Sequence, residues 1–145
     1  MRKNVIGVGL VVVLTAVSSA DEHAIKAELK RLEGTWQLVA AKKDGKETPN
    51  DVVKKIRVVI KGNGHSVYFG DEVVAKEIRF TIDPKKNPKT TTDKLSDGKE
   101  IKGIYKLDGD TLMSCVAEVG KDRPSEFASN PGSGHTLRTF KRVKP

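Results

Sequence analysis

The sequence predicts an all-β domain: an antiparallel up-and-down β-barrel of about eight strands, entered through a short N-terminal helix. Two observations carry that expectation. After Gly34, apolar and polar residues alternate with period two through segment after segment, as they do in antiparallel sheet with one buried face. Turn pairs at Asn63-Gly64, Asp97-Gly98 and Asp108-Gly109 separate these segments and point to tight hairpins between sequential strands. Such a meander has to close into a barrel or curl into a sandwich. Long crossovers are scarce, which favours the barrel.

Taken in order, residues 1–20 read as a signal peptide. Arg2 and Lys3 precede the uncharged apolar run "VIGVGLVVVLTAV", and small Ser18 and Ala20 occupy the −3 and −1 positions of a cleavage site. The run is short for a membrane span, and no later segment is apolar enough to cross one. The expected mature domain is 21–145, exported to the periplasm or beyond after cleavage near Ala20. In "DEHAIKAELKRLEG", Ile25, Leu29 and Leu32 share one face, acids come first and bases last, and Gly34 stops the helix. That spacing predicts a helix over about 22–32.

The strand candidates follow. "TWQLVAA" puts Trp36, Leu38 and Ala40 on one face, and "KKIRVVIKG" does the same with Ile56, Val58 and Ile60. "HSVYFG" carries Val67 and Phe69, and "AKEIRFTID" carries Ile78, Phe80 and Ile82. "PKTTTDKL" is a polar strand expected to be exposed. "KEIKGIYKLD" sets Tyr105 and Leu107 inward, "TLMSCVAEV" is apolar on both faces, and "HTLRTFKRV" closes the chain. Between the first two strands, "KKDGKETPND" reads as a longer connection with one helical turn in 49–55. The one long irregular segment is 118–135, where Phe127 is expected to pin the loop to the barrel. Loops of that length in a compact domain are packed excursions or functional.

Removing 20 of 145 residues leaves 125, enough for a core. Loss of Arg2 and Lys3 lowers the net charge from +8 to +6. The remaining bases are scattered and aromatics are few, which argues against a specific nucleic-acid surface. The basic faces suit an anionic polymer or an envelope protein as a partner. A single cysteine, Cys115, rules out an internal disulfide. Its apolar strand context suggests a buried, inert thiol, with an intermolecular disulfide or a reactive thiol as the alternatives. A monomer is expected.

Three stretches carry a resemblance: "LEGTWQLV", "GIYKLDGDTL" and "RPSEFASNPGSGHTLRTFKR". Together they resemble a family of small, mostly exported domains abundant in planctomycete bacteria, over Leu32 to Arg142. The resemblance implies no particular reaction. It implies in turn a lipocalin-like, or calycin-like, barrel. Lipocalins open their first strand with Gly-x-Trp after a short helix, and an Arg near the last strand packs over that Trp. Here Gly34 and Trp36 match the first half. Arg142, or failing that Arg138, is the candidate for the second.

Catalytic and metal chemistry finds little footing. Ser133 and His135 lack the strand-turn-helix elbow of a nucleophile. His23, His65 and His135 have no metal-ligand spacing, and "DGD" at Asp108 to Asp110 lacks the later acids of a calcium loop. No nucleotide loop is present. The sequence thus points to a non-enzymatic protein without metal or cofactor. An eight-stranded barrel either fills with side chains or holds one small ligand, and the many large inward candidates favour filling. Trp36, Tyr105, Ser114, Arg138 and Phe140 are the candidate ligand-binding residues for a small apolar or amphipathic molecule. The alternative is a solid-cored envelope module that works through the 118–135 loop, with Arg123, Glu126 and Phe127 as contact residues.

Overall fold

The computed structural model describes residues 18–145, together with Gly9. The expected signal peptide lies almost wholly outside the described residues. The chain runs α1 (Ser19–Leu32), β1 (Gly34–Lys43), β2 (Lys46–Glu47), α2 (Asn50–Val53), β3 (Ile56–Lys61), β4 (Gly64–Phe69), β5 (Glu72–Asp83), β6 (Lys89–Lys94), β7 (Glu100–Asp108), β8 (Thr111–Val116) and β9 (Thr136–Arg142). From β3 to β9 each strand pairs antiparallel with the next. β1 pairs with both β3 and β9, so β1 and β3–β9 close an eight-stranded barrel, and β2 is a short addition to β1. The predicted all-β up-and-down barrel is the fold. Among the described residues, no helix is long and apolar enough to cross a membrane.

The hairpins are where the sequence places them, with the turns shifted by one residue in two cases. Gly62 and Asn63, not Asn63 and Gly64, are the central residues between β3 and β4. Gly62 takes φ +56°, and Gly64 enters β4 opposite Lys61. The β7–β8 turn likewise centres on Gly109-Asp110. The expected long connection after β1 is instead a tight hairpin into β2. Asp44 and Gly45 both have positive φ, 49° and 81°, which matches the right-handed twist of paired strands. The expected helical turn follows as α2.

Three expectations about strand faces are corrected. The polar "PKTTTDKL" segment is not an exposed strand. As β6 it is a full stave between β5 and β7, with Thr91 and Asp93 on the barrel's inner side. A register shift between Leu38 and Ala40 puts Ala41, not Ala40, on the inner face opposite Arg138, because a bulge reverses side-chain parity. Phe69 is not core. At 39% exposure it sits on the rim beneath the Lys55 ammonium.

One end of the barrel is closed by α1. In the uncleaved chain Ser18 caps the helix by accepting from the Asp21 N–H at 3.2 Å, a cap that cleavage near Ala20 would remove; Asp21 and Glu22 lie in the first turn, where the helix dipole favours acids. Ile25, Leu29 and Leu32 pack against a core that contains Leu38, Phe80, Leu112 and Phe140. Trp36 lies at the centre of this floor with no exposed surface, and its indole N–H donates to the Leu32 carbonyl at 2.9 Å. Arg142 covers the ring, its guanidinium carbon 4.3 Å from the centroid. Of the two candidates, Arg142 is therefore the capping arginine.

The outer side of β7 and β8 is covered as well. Ile104 and Cys115, paired across β7 and β8, are buried on this side, together with the loop's own Ser129. The Cys115 thiol donates to the Ala128 carbonyl at 3.4 Å. Ser129 Oγ donates to the His135 carbonyl at 2.8 Å and accepts from the Gly45 N–H at 3.1 Å. The loop is thereby tied to the β1–β2 turn. Trp36→Ala is expected to cost about 3–5 kcal/mol in chemical denaturation, the range for emptying a large aromatic site. A nearly neutral result would refute the floor assignment.

Candidate functional site

The barrel interior is not filled. A cavity of about 630 Å³ runs from Leu32 of α1 to a rim that includes Lys43, Glu118, Val119 and Gly134. The large inward residues expected to fill it are present. Ile60, Phe80, Ile82, Leu112 and Phe140 are packed towards the α1 end, while Ile56, Val58, Val67, Ile78 and Ile101 form walls around open space.

Four staves supply polar groups to this lumen. β8 and β9 pair Ser114 directly opposite Arg138. β6 contributes Thr91 and Asp93, and β4 contributes His65. His65 Nε2 lies 3.0 Å from Asp93 Oδ2, and the imidazole stands against Phe80 with ring centroids 5.6 Å apart. His65 Nδ1 is buried and has no hydrogen-bond partner among the described residues. Arg138 is enclosed by barrel atoms, and the surface it keeps faces the lumen. Burial pulls its pKa below the ordinary arginine range, opposed by the negative field of Asp93.

Beneath the lumen a second polar group holds α1 in place. Glu28, only 5% exposed, accepts from Lys89 Nζ at 2.8 Å, Tyr105 Oη at 3.2 Å and Arg31 Nη1 at 3.2 Å. Burial alone would raise the Glu28 pKa, but the hydrogen bond and charge of Lys89, joined by Arg31 and Tyr105, hold it below the ordinary 4.5. Tyr105 is driven well above its ordinary 10 by burial and by the facing Glu28 carboxylate.

The sequence-derived candidates divide accordingly. Ser114, Arg138 and Phe140 line the lumen together. Tyr105 lines it too, but its hydroxyl is engaged by Glu28. Trp36 does not reach the lumen; it is sealed into the floor with Gly34 and Arg142. Gly34 has φ +133°, and a Cβ there would stand 3.0 Å from Arg142 Nη1, so glycine is required on both counts. Of the loop candidates, Arg123 is turned onto the barrel. It donates to the Thr91 and Gly103 carbonyls at 2.5 and 2.6 Å and to Thr92 Oγ1 at 2.9 Å. Glu126 is exposed, and Phe127 is half-buried near Lys106.

His65, Asp93, Glu28 and Lys89 were not among the sequence candidates. The parity of "HSVYFG" places His65 with Val67 and Phe69, and Asp93 becomes inward once β6 is counted as a stave. Ser133 Oγ donates to the Asn130 carbonyl at 2.5 Å and accepts from the His135 N–H at 3.2 Å, which is turn chemistry. Burial raises the Cys115 pKa, which keeps the thiol protonated and weakly nucleophilic. Among the described residues, no three His, Cys, Asp or Glu side chains are grouped to hold a metal.

No family model and no curated protein matches the chain.

The folded state holds the Glu28 pKa below its unfolded value, so the resulting stability is present above about pH 4.5 and is lost as pH falls through the folded-state pKa. Glu28→Gln is expected to cost about 1.5–3 kcal/mol at pH 7, with the difference from wild type shrinking in acid. Urea unfolding from pH 7 down to pH 3 measures this. A gap that stays constant with pH would overturn the account.

Proposed function

We propose that this chain is an exported, non-enzymatic binding domain that takes one small apolar or amphipathic molecule into its barrel. The observation that carries the reading is the lumen of about 630 Å³, with walls mostly aliphatic and aromatic and a few convergent polar groups. Ligand sites in proteins have this size and this mixture, and barrels of eight strands are just wide enough for one such guest. The signal-like N-terminus supports export. The resemblance to exported planctomycete-type domains, and through them to lipocalins, fits the same reading. The alternative of a solid-cored envelope module draws less support. Arg123 and Ser129 direct their side chains back onto the protein, which leaves little of the loop for a partner.

The test combines titration with an apolar fluorophore and mass spectrometry of protein purified under native conditions. Saturable one-to-one binding or a co-purified small molecule is expected. Ser114→Phe, which fills the lumen from β8, should weaken the fluorophore at least about tenfold, or about 1.4 kcal/mol, while the barrel still unfolds cooperatively. Absence of both saturable binding and a co-purified molecule would sink the proposal.

A further inference from the structure

Among the described residues, four charged side chains packed against the barrel or set within it have polar partners, and Arg138 does not. Glu28 accepts from three donors. Arg123 donates to three acceptors on β6 and β7. Arg142 reaches the Glu33 and Arg31 carbonyls and Asp110. Asp93 is engaged by His65. Arg138 alone, enclosed within the barrel, has neither a hydrogen bond nor an ion pair among the described residues. Asp93 acts on it as a field without pairing with it. Its guanidinium faces the open lumen instead of a protein acceptor, and nothing in the local strand chemistry of "HTLRTFKRV" requires a cation there.

Resting on the reading of the lumen as a ligand site, we infer that the ligand carries a single carboxylate, which Arg138 grips within the barrel. A guanidinium presents parallel N–H donors that match a carboxylate in a two-bonded fork. Ser114 stands directly opposite on β8, and its hydroxyl has no hydrogen-bond partner among the described residues. It supplies a further donor to the same headgroup. Asp93 limits the charge that the site accepts. Arg138 and Asp93 already offset one another inside the lumen, and Lys43 and Glu118 do so at its rim, so a monoanion adds one negative charge beside Asp93 whereas a dianionic phosphate adds two. The walls on either side, from Leu38 and Phe140 to Val67 and Ile101, are apolar. The recognised molecule is therefore an organic acid with an aliphatic or aromatic body, not a free inorganic anion.

The experiment compares decanoate with decan-1-ol, which share the tail and differ in the headgroup charge, by calorimetric titration near neutral pH. Wild type should bind decanoate at least about tenfold more tightly than the alcohol, the increment expected for a charge-assisted hydrogen bond. Arg138→Met should remove that preference and leave alcohol affinity intact, and Arg138→Lys should retain part of it. In the absence of ligand, Arg138→Met should melt at or above the wild-type temperature, because no protein group pairs with the guanidinium and an apolar side chain of similar length gives up no such contact. Equal affinity of wild type for the two probes, or decanoate binding indifferent to Arg138→Met, would overturn the carboxylate assignment and leave the lumen as an apolar site. Marked destabilisation by Arg138→Met that Arg138→Lys repairs would show that the protein uses the charge for its own folding, and would also overturn it. Failure of both probes to bind would overturn both this inference and the ligand-site reading.

Discussion

The contact between Arg142 and Trp36 joins three things that the barrel needs at once. Arg142 ends β9, Trp36 opens β1, and the guanidinium over the indole clamps the seam where the last strand meets the first. The same guanidinium donates to the Arg31 and Glu33 carbonyls, where α1 leaves its final acceptors unpaired. A cation there also meets the negative end of the helix dipole. Trp36 returns an N–H to the Leu32 carbonyl. Without the seam, β1 and β9 would each present an open edge with unpaired backbone groups. The up-and-down topology offers no other closure, because every other pairing joins strands that are neighbours in the order of the sheet.

The lumen depends on that floor. α1 is short and amphipathic, and its apolar face alone would be a modest anchor. Glu28 adds direction: it can meet Lys89 on β6 and Tyr105 on β7 only when the helix lies across the barrel end in one orientation. Buried polar networks of this kind contribute little net energy, since desolvation offsets much of the attraction, but they penalise any other arrangement. On the outside, Arg123 bridges β6 and β7, and the 118–135 loop buries Cys115 and Ile104. Closure from below and bracing from the side let the interior stay open without collapse.

Polarity inside the barrel is uneven. β1, β3 and β5 bring mostly aliphatic and aromatic groups to the lumen, while β6 brings Thr91 and Asp93 and β9 brings Arg138. A solid core has no use for this arrangement, because each such group would have to be satisfied or displaced by an apolar one. In an open lumen the same groups face a space that water or a ligand headgroup can enter, and a carboxylate at Arg138 would complete the pairing.

Period-two alternation and glycine turns determined the barrel class and the order of its strands, and the helical spacing of Ile25, Leu29 and Leu32 determined the helix before it, because these signals are local. The Gly34–Trp36 pair was legible for a similar reason: a lone tryptophan just after a helix stop has few places to go except the first buried position of the first strand. Tertiary structure decided the rest. It chose Arg142 over Arg138 as the cap, since both lie on the inner face of β9 and only the closing register with β1 separates them. It made β6 a stave, because a strand polar on both faces does not announce which face is enclosed. It put a bulge before Ala40, which reversed the parity that alternation alone implies. Whether large inward side chains meet at the centre is set by barrel radius and strand tilt, which are properties of the closed ring of strands. Alternation names the residues that face inward, but the space left between them exists only once β9 has returned to β1.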